Sequence, residues 1–207
     1  MKVLVARSAG FCWGVRRAVD KARQLARDRR QPVFTDGPLI HNRQMMDQLK
    51  AEGVTEIDDP TSLSGGVLVV RAHGVPPERR TVLDKLPVTL VDVTCPDVAK
   101  IQKLIRRYAR EGCHIVIFGD PGHAEVTGLM GYAEGRGFVV NSPDDVLKLP
   151  DLSPVCLVSQ STQLPSAYDR VADAVRARFP SAVVLDTICK STRNRQQELI
   201  SLAASVD

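Results

Sequence analysis

The chain has 207 residues, 43% of them apolar and 25% charged, with 28 lysines and arginines against 24 aspartates and glutamates for a net charge of +4. That length can bury one or two cores, and an aromatic content of 4% leaves little surface for stacking bases, which argues against a nucleic-acid partner. The longest apolar runs, 67–70 and 115–118, fall far short of the ~20 residues a membrane helix needs. With five cysteines, an odd number, none close in sequence to another and no secretory leader, the chain reads as cytoplasmic with unpaired thiols.

In chain order the first expected element is an apolar strand at 2–7, running toward Cys12. Next comes an amphipathic helix whose apolar stripe is Val15, Ala18, Val19, Ala22, Leu25 and Ala26. Strands at 31–35 and 67–71 follow, then one at 88–94 that leads into Cys95. A second stripe, Val98, Ile101, Leu104, Ile105 and Tyr108, marks the helix after that cysteine. Strands at 114–118 and 155–159 precede a third strand–cysteine junction, 182–188 into Cys189, and a last helix carrying Leu199, Leu202, Ala203 and Val206. Strands rich in β-branched residues without polar alternation, separated by helix-length segments, predict an α/β fold of parallel sheets covered on both faces. The expected order is β-α-β-α-β-α, twice.

The strand–cysteine–helix pattern thus occurs three times, with 83 residues between Cys12 and Cys95 and 94 between Cys95 and Cys189. A repeated α/β unit that brings one thiol each to a shared centre predicts a metal site. Its lobes are expected at 13–95 and 96–189, with 190–207 and the strand within 1–12 starting an incomplete third. Whether each strand before a cysteine pairs with the lobe before or after it is open at this level.

Ligands of open parallel sheets sit beyond the carboxyl ends of the strands. There the sequence has Gly37-Pro-Leu-Ile-His41-Asn42, Ala72-His73-Gly74, His123-Ala-Glu125 and Gln160-Ser161-Thr162. Three histidines on the edge that carries three cysteines outweigh the loop-capping role any one of them would have alone; His114, at a strand start, reads as structural. Thiolates favour zinc or iron–sulfur, and a [4Fe–4S] cluster held by three cysteines would keep one iron open as a Lewis acid. Histidines and helix N-termini suit an anion such as phosphate, and Glu125 is a candidate proton donor. The H-x-E of zinc deaminases is present, but the P-C-x-x-C they need is not. Cys113 and Cys156 read as small buried hydrophobes, and the basic residues of the two long helices as solvated faces.

Gly10-Phe-Cys12-Trp-Gly-Val-Arg16-Arg-Ala-Val19, Gly37-Pro-Leu-Ile-His41-Asn42, Arg71-Ala-His73-Gly-Val-Pro-Pro77, Asp92-Val-Thr-Cys95-Pro, His123-Ala-Glu125-Val-Thr-Gly128 and Asp186-Thr-Ile-Cys189 with Arg195-Gln196 resemble, in order, the 4-hydroxy-3-methylbut-2-enyl diphosphate reductase family of the methylerythritol phosphate route. The resemblance implies a pseudo-threefold arrangement of βαβ-type lobes around a central [4Fe–4S] cluster on Cys12, Cys95 and Cys189, whose unique iron takes the substrate hydroxyl. It implies His41 and His73 on the diphosphate of a small allylic substrate, His123 beside the hydroxyl, Glu125 as proton source, and flavodoxin or ferredoxin as electron donor. Ser161 stands where the family usually has threonine and keeps the hydroxyl; Ala124 replaces a frequent proline. The resemblance also implies that most of a third lobe, with further diphosphate contacts, is not among residues 190–207, so that this segment alone is expected to be nearly inactive. Another three-lobed iron–sulfur enzyme, resembling quinolinate synthase, and a non-enzymatic metal-binding or nucleic-acid-associated module, which the basic helices alone would support, are the alternatives.

Overall fold

The computed structural model describes residues 3–28 and 30–206, with α1 (Trp13–Arg27), β1 (Val33–Asp36), α2 (Arg43–Ala51), β2 (Val54–Ile57), β3 (Val67–Val70), α3 (Pro77–Leu83) and β4 (Thr89–Asp92) in the first half. The second half holds α4 (Pro96–Arg110), β5 (His114–Phe118), α5 (Ala124–Met130), β6 (Gly137–Val140), α6 (Pro143–Leu147), β7 (Val155–Ser159), α7 (Pro165–Arg178), β8 (Val183–Val184) and α8 (Lys190–Ala203). All pairings are parallel, in two four-stranded sheets of order β2-β1-β3-β4 and β6-β5-β7-β8. The two sheets repeat one topology, which is the α/β architecture that the periodicity predicts.

Residues β3 Leu68–Val70, β5 Ile115–Phe118 and all of β7 are buried because helices cover both faces of each sheet. Ala18, Val19 and Ala22 of α1 pack on Val33, Leu49 and Val69, so the predicted stripe is the one that enters the first core. Ile101, Ile105 and Ala109 of α4 pack on Ile115, Ile117 and Val158 of the second sheet. Cys113 and Cys156 belong to that same cluster and are buried free thiols. The two halves are joined by close approaches of glycine: a Cβ at Gly131 would stand 2.5 Å from Pro76 Cβ, and beside it Tyr132 Oη donates to Val75 O at 3.2 Å.

Three expectations are corrected. No strand forms at 3–6, where Val3 and Val5 are exposed, because no neighbouring strand offers a ladder; residue 2 lies outside the described residues. The segment instead meets α8, with the N–H groups of Arg7 and Ser8 donating to Glu198 at 2.6 and 2.9 Å and Arg195 donating to Gly10 O. Each sheet has a fourth strand, β2 or β6, beyond the three anticipated. Finally, β8 is two residues long rather than seven. The open pairing question is also answered: β4 pairs with β3 and β8 with β7, so the strand before a cysteine completes the sheet that precedes it.

Candidate active site

The loops that leave β1 and β3 depart from the carboxyl edge of the first sheet, and those that leave β5 and β7 from that of the second. His41 follows β1 and sits just before α2, whose N-cap Asn42 accepts the N–H of Met45 at 2.9 Å. His73 follows β3, and His123 follows β5 as the N-cap of α5. Ring centroids lie 4.1 Å apart for His41 and His73, 5.0 Å for His41 and His123, and 5.9 Å for His73 and His123. The structure therefore brings all three predicted histidines together, two from the first sheet and one from the second.

For His73 and His123 burial comes first, and neighbouring charges second, in setting protonation. Burial, reinforced by His41, His123 and Arg71, pushes the His73 imidazole down to about 3, so it is neutral at pH 7. Burial and His41 also lower His123, while Asp120 opposes them. His123 Nδ1 accepts the N–H of Glu125 at 3.1 Å, which leaves the proton of a neutral ring on Nε2. Among the described residues His73 Nδ1 is buried with no hydrogen-bond partner. An unpartnered buried ring nitrogen is a site prepared for something polar.

Glu125 is 2% exposed. Its carboxyl accepts two hydrogen bonds from Ser161, one from the backbone N–H and one from the hydroxyl, both at 2.7 Å. Burial raises its pKa and outweighs the two donations, which favour the ionised form. Ser161 thus orients the Glu125 carboxyl. Behind them the fully buried Gln160 accepts the N–H of Asp120 at 2.9 Å and donates to Thr162 at 3.0 Å, bracing the loop that ends in His123. Gln160 stood in a quoted motif, but its strut across 40 residues has no local signal.

The three cysteines are free, half-buried, and N-caps of α1, α4 and α8. Helix N-termini stabilise thiolates. Cys95 Sγ lies against the first turn of α1, where a Cβ on Gly14 would meet it at 2.6 Å. Burial raises the Cys95 thiol, and Cys12 adds to the shift; a bound cationic centre reverses that cost by deprotonating its thiol ligands. Cys189 is tied in by Thr192, whose N–H donates to Sγ at 3.3 Å, while its own N–H donates to Ser161 O at 2.9 Å, next to Glu125. Among the described residues no three of His, Cys, Asp and Glu converge closely enough for a single ion. Helix-capping free thiols of this kind fit a multi-iron cluster, in which each thiolate takes a different iron, better than a mononuclear zinc site.

A cavity of about 680 Å³ opens next to His41, but it runs away from the other histidines, between Met46 and Lys50 of α2 and Val54–Glu56 of β2. No described helix is long and apolar enough to cross a membrane.

The LytB protein family model matches residues 3–207. A 4-hydroxy-3-methylbut-2-enyl diphosphate reductase of Opitutus terrae is 47% identical over 98% of this chain and 74% of its own length, and one of Alkaliphilus oremlandii is 38% identical over 100% and 75%. Among solved structures, the E-1-hydroxy-2-methyl-but-2-enyl-4-diphosphate reductase of Plasmodium falciparum superposes with a TM-score of 0.89 at 27% identity, over 95% of this chain and 63% of that one. A structure described as (E)-4-hydroxy-3-methyl-but-2-enyl diphosphate reductase, the terminal enzyme of the non-mevalonate pathway, gives 0.81 at 34% identity, over 99% and 74%. The class these define is an α/β oxidoreductase. Within it, the chain belongs to the LytB family, and it spans about three quarters of the curated relatives' length.

Proposed function

We propose that the chain takes part in the reductive dehydroxylation of 4-hydroxy-3-methylbut-2-enyl diphosphate to isopentenyl and dimethylallyl diphosphate, in the cytoplasm, with a [4Fe–4S] cluster on Cys12, Cys95 and Cys189. The reaction replaces a C–OH bond by C–H, consumes two electrons and two protons, and releases water. A small electron-transfer protein such as flavodoxin or ferredoxin is the donor. The lobes are 13–95 and 96–189, and 190–207 with residues 1–12 belongs to a third; the contacts of Arg7, Ser8 and Gly10 with α8 support that grouping.

The observation that carries the reading is the meeting of three histidines from two sheets beside a buried carboxyl that has no cationic partner. His41 and His73 hold the diphosphate: an arriving anion supplies the acceptor that His73 Nδ1 lacks and makes its protonated form favourable. His123, its Nδ1 occupied by the Glu125 N–H, presents Nε2–H to the hydroxyl end of the substrate. Glu125, whose acid form burial favours, passes its proton to the departing oxygen. The Ser161 donations then stabilise the carboxylate left behind. When bound, the cluster supplies the electrons and a Lewis-acidic iron at this edge.

The test is product formation by anaerobically reconstituted protein with a chemical reductant, followed by chromatography of the diphosphates. In a polypeptide that includes the third lobe, conversion to the two isomeric products is expected, and Glu125→Gln should lower it ~10²-fold or more. A protein that loads iron yet neither binds nor converts the substrate contradicts the proposal.

A further inference from the structure

We propose that Gly14 and Arg17, one helical turn apart on the same face of α1, are a positioning pair that fixes Cys95 against Cys12. The inference rests on the cluster reading above and extends it to two residues that touch no substrate. Cys12 caps α1, and Gly14 is buried two residues on. Because Gly14 has no side chain, Cys95 Sγ approaches the α1 backbone so closely that an added Cβ would stand 2.6 Å from the sulfur and 3.5 Å from Cys95 Cβ. The sulfur is the near atom, so any side chain at 14 displaces the ligand itself rather than some flexible neighbour.

Arg17 continues the contact. Its guanidinium donates to Thr94 O at 3.2 Å and to Val93 O at 3.5 Å, the two carbonyls that immediately precede Cys95. From the other side Cys95 N–H donates to Ala72 O at 2.9 Å, and Asp92 accepts from both the N–H and the hydroxyl of Thr94, at 2.8 and 2.6 Å. The cysteine-bearing turn is therefore stapled to its own sheet by Ala72 and Asp92. Arg17 and the Gly14 contact, together with Val93 packed among Ala18, Val19 and Ala22, tie it to the helix that carries the first thiol. Two ligands on separate elements keep a fixed spacing only if such ties exist, and groups that orient ligands without binding the metal typically govern metal affinity by 10–100-fold.

The test compares Gly14→Ala, Arg17→Ala and Arg17→Lys with the parent and with Cys95→Ser, after anaerobic reconstitution. The readouts are iron per chain and the rate of iron release to a chelator under argon. Arg17→Ala should release iron ~10-fold faster and Gly14→Ala should load poorly, with far-UV circular dichroism unchanged, since alanine is the better helix former at 14. Arg17→Lys, which keeps the charge and one donor, should recover part of the lost retention. Native loading and release in both Gly14→Ala and Arg17→Ala, with Cys95→Ser iron-depleted, overturns the positioning role and leaves the ligand assignment standing. Full iron in Cys95→Ser overturns the ligand assignment itself.

Discussion

His73 makes acid lability a quantitative expectation. An imidazole that titrates near 6.5 in the unfolded chain and at about 3 in the fold binds fewer protons when folded, so folding releases a proton throughout the window between those values. Its contribution is undiminished above pH 6.5 and is lost as the pH falls toward 3. At pH 5.5, one unit below the unfolded value, the unfolded state is favoured by a factor of about 11, or ~1.4 kcal/mol, and the figure is insensitive to a unit's change in the folded value because both lie well below 5.5. The perturbation is His73→Asn, which removes the titrating ring while leaving a polar side chain beside His41. Urea unfolding of both proteins in a phosphate-free buffer at pH 7.5 and 5.5 gives four free energies. The parent should lose ~1.4 kcal/mol more than the variant over that interval. Added inorganic pyrophosphate should shrink the difference, because the anion stabilises the protonated ring. Equal losses in the two proteins would refute the claim that burial and the neighbouring rings hold His73 neutral.

Glu125→Gln keeps the shape of the carboxyl but not its proton, and should lower kcat by ~10²-fold or more with substrate binding retained; near-normal turnover at saturating substrate eliminates the proton-donor role. Ser161→Ala removes a hydrogen bond that favours the Glu125 carboxylate, so its pKa rises further and the alkaline limb of the kcat profile, where the acid form is lost, should move to higher pH; Ser161→Thr should leave the limb in place. His41→Ala should raise KM more than it lowers kcat, since a diphosphate contact made equally in ground and transition states contributes to binding alone. An equal fall in kcat would place His41 at the reacting end.

The parts of this fold that were legible in the sequence are those decided locally. β5 and β7 occupy the anticipated 114–118 and 155–159 because each is a central strand with neighbours on both sides and a run of four apolar residues, Ile115–Phe118 and Val155–Val158. The edge strands were not legible: Val54-Thr-Glu-Ile alternates weakly with both middle residues exposed, and β6 begins on a glycine. Residues 3–5 show the converse error, an apolar run with no partner to pair with. His41 and His73 were readable as neighbours because parallel topology sends the loops after β1 and β3 to one edge of the first sheet, whereas His123 joins them through the packing of the second sheet against the first. What joins distant positions was not readable. The Glu125–Ser161 bonds, the Gln160 brace and the Arg17 tie span 36, 40 and 77 residues, and depend on a packing of helices that no single-segment pattern encodes.

The central claim is that Cys12, Cys95 and Cys189, and not Cys113 or Cys156, hold an iron–sulfur cluster at this edge. Five single Cys→Ser variants, reconstituted anaerobically and assayed for iron, sulfide and Mössbauer signature, test it most directly. The account predicts ~4 irons per chain in the parent, retention in Cys113→Ser and Cys156→Ser, whose thiols are sealed in the second core, and loss in the other three. Stoichiometric zinc in the parent, or a full complement of iron in Cys189→Ser, would contradict it.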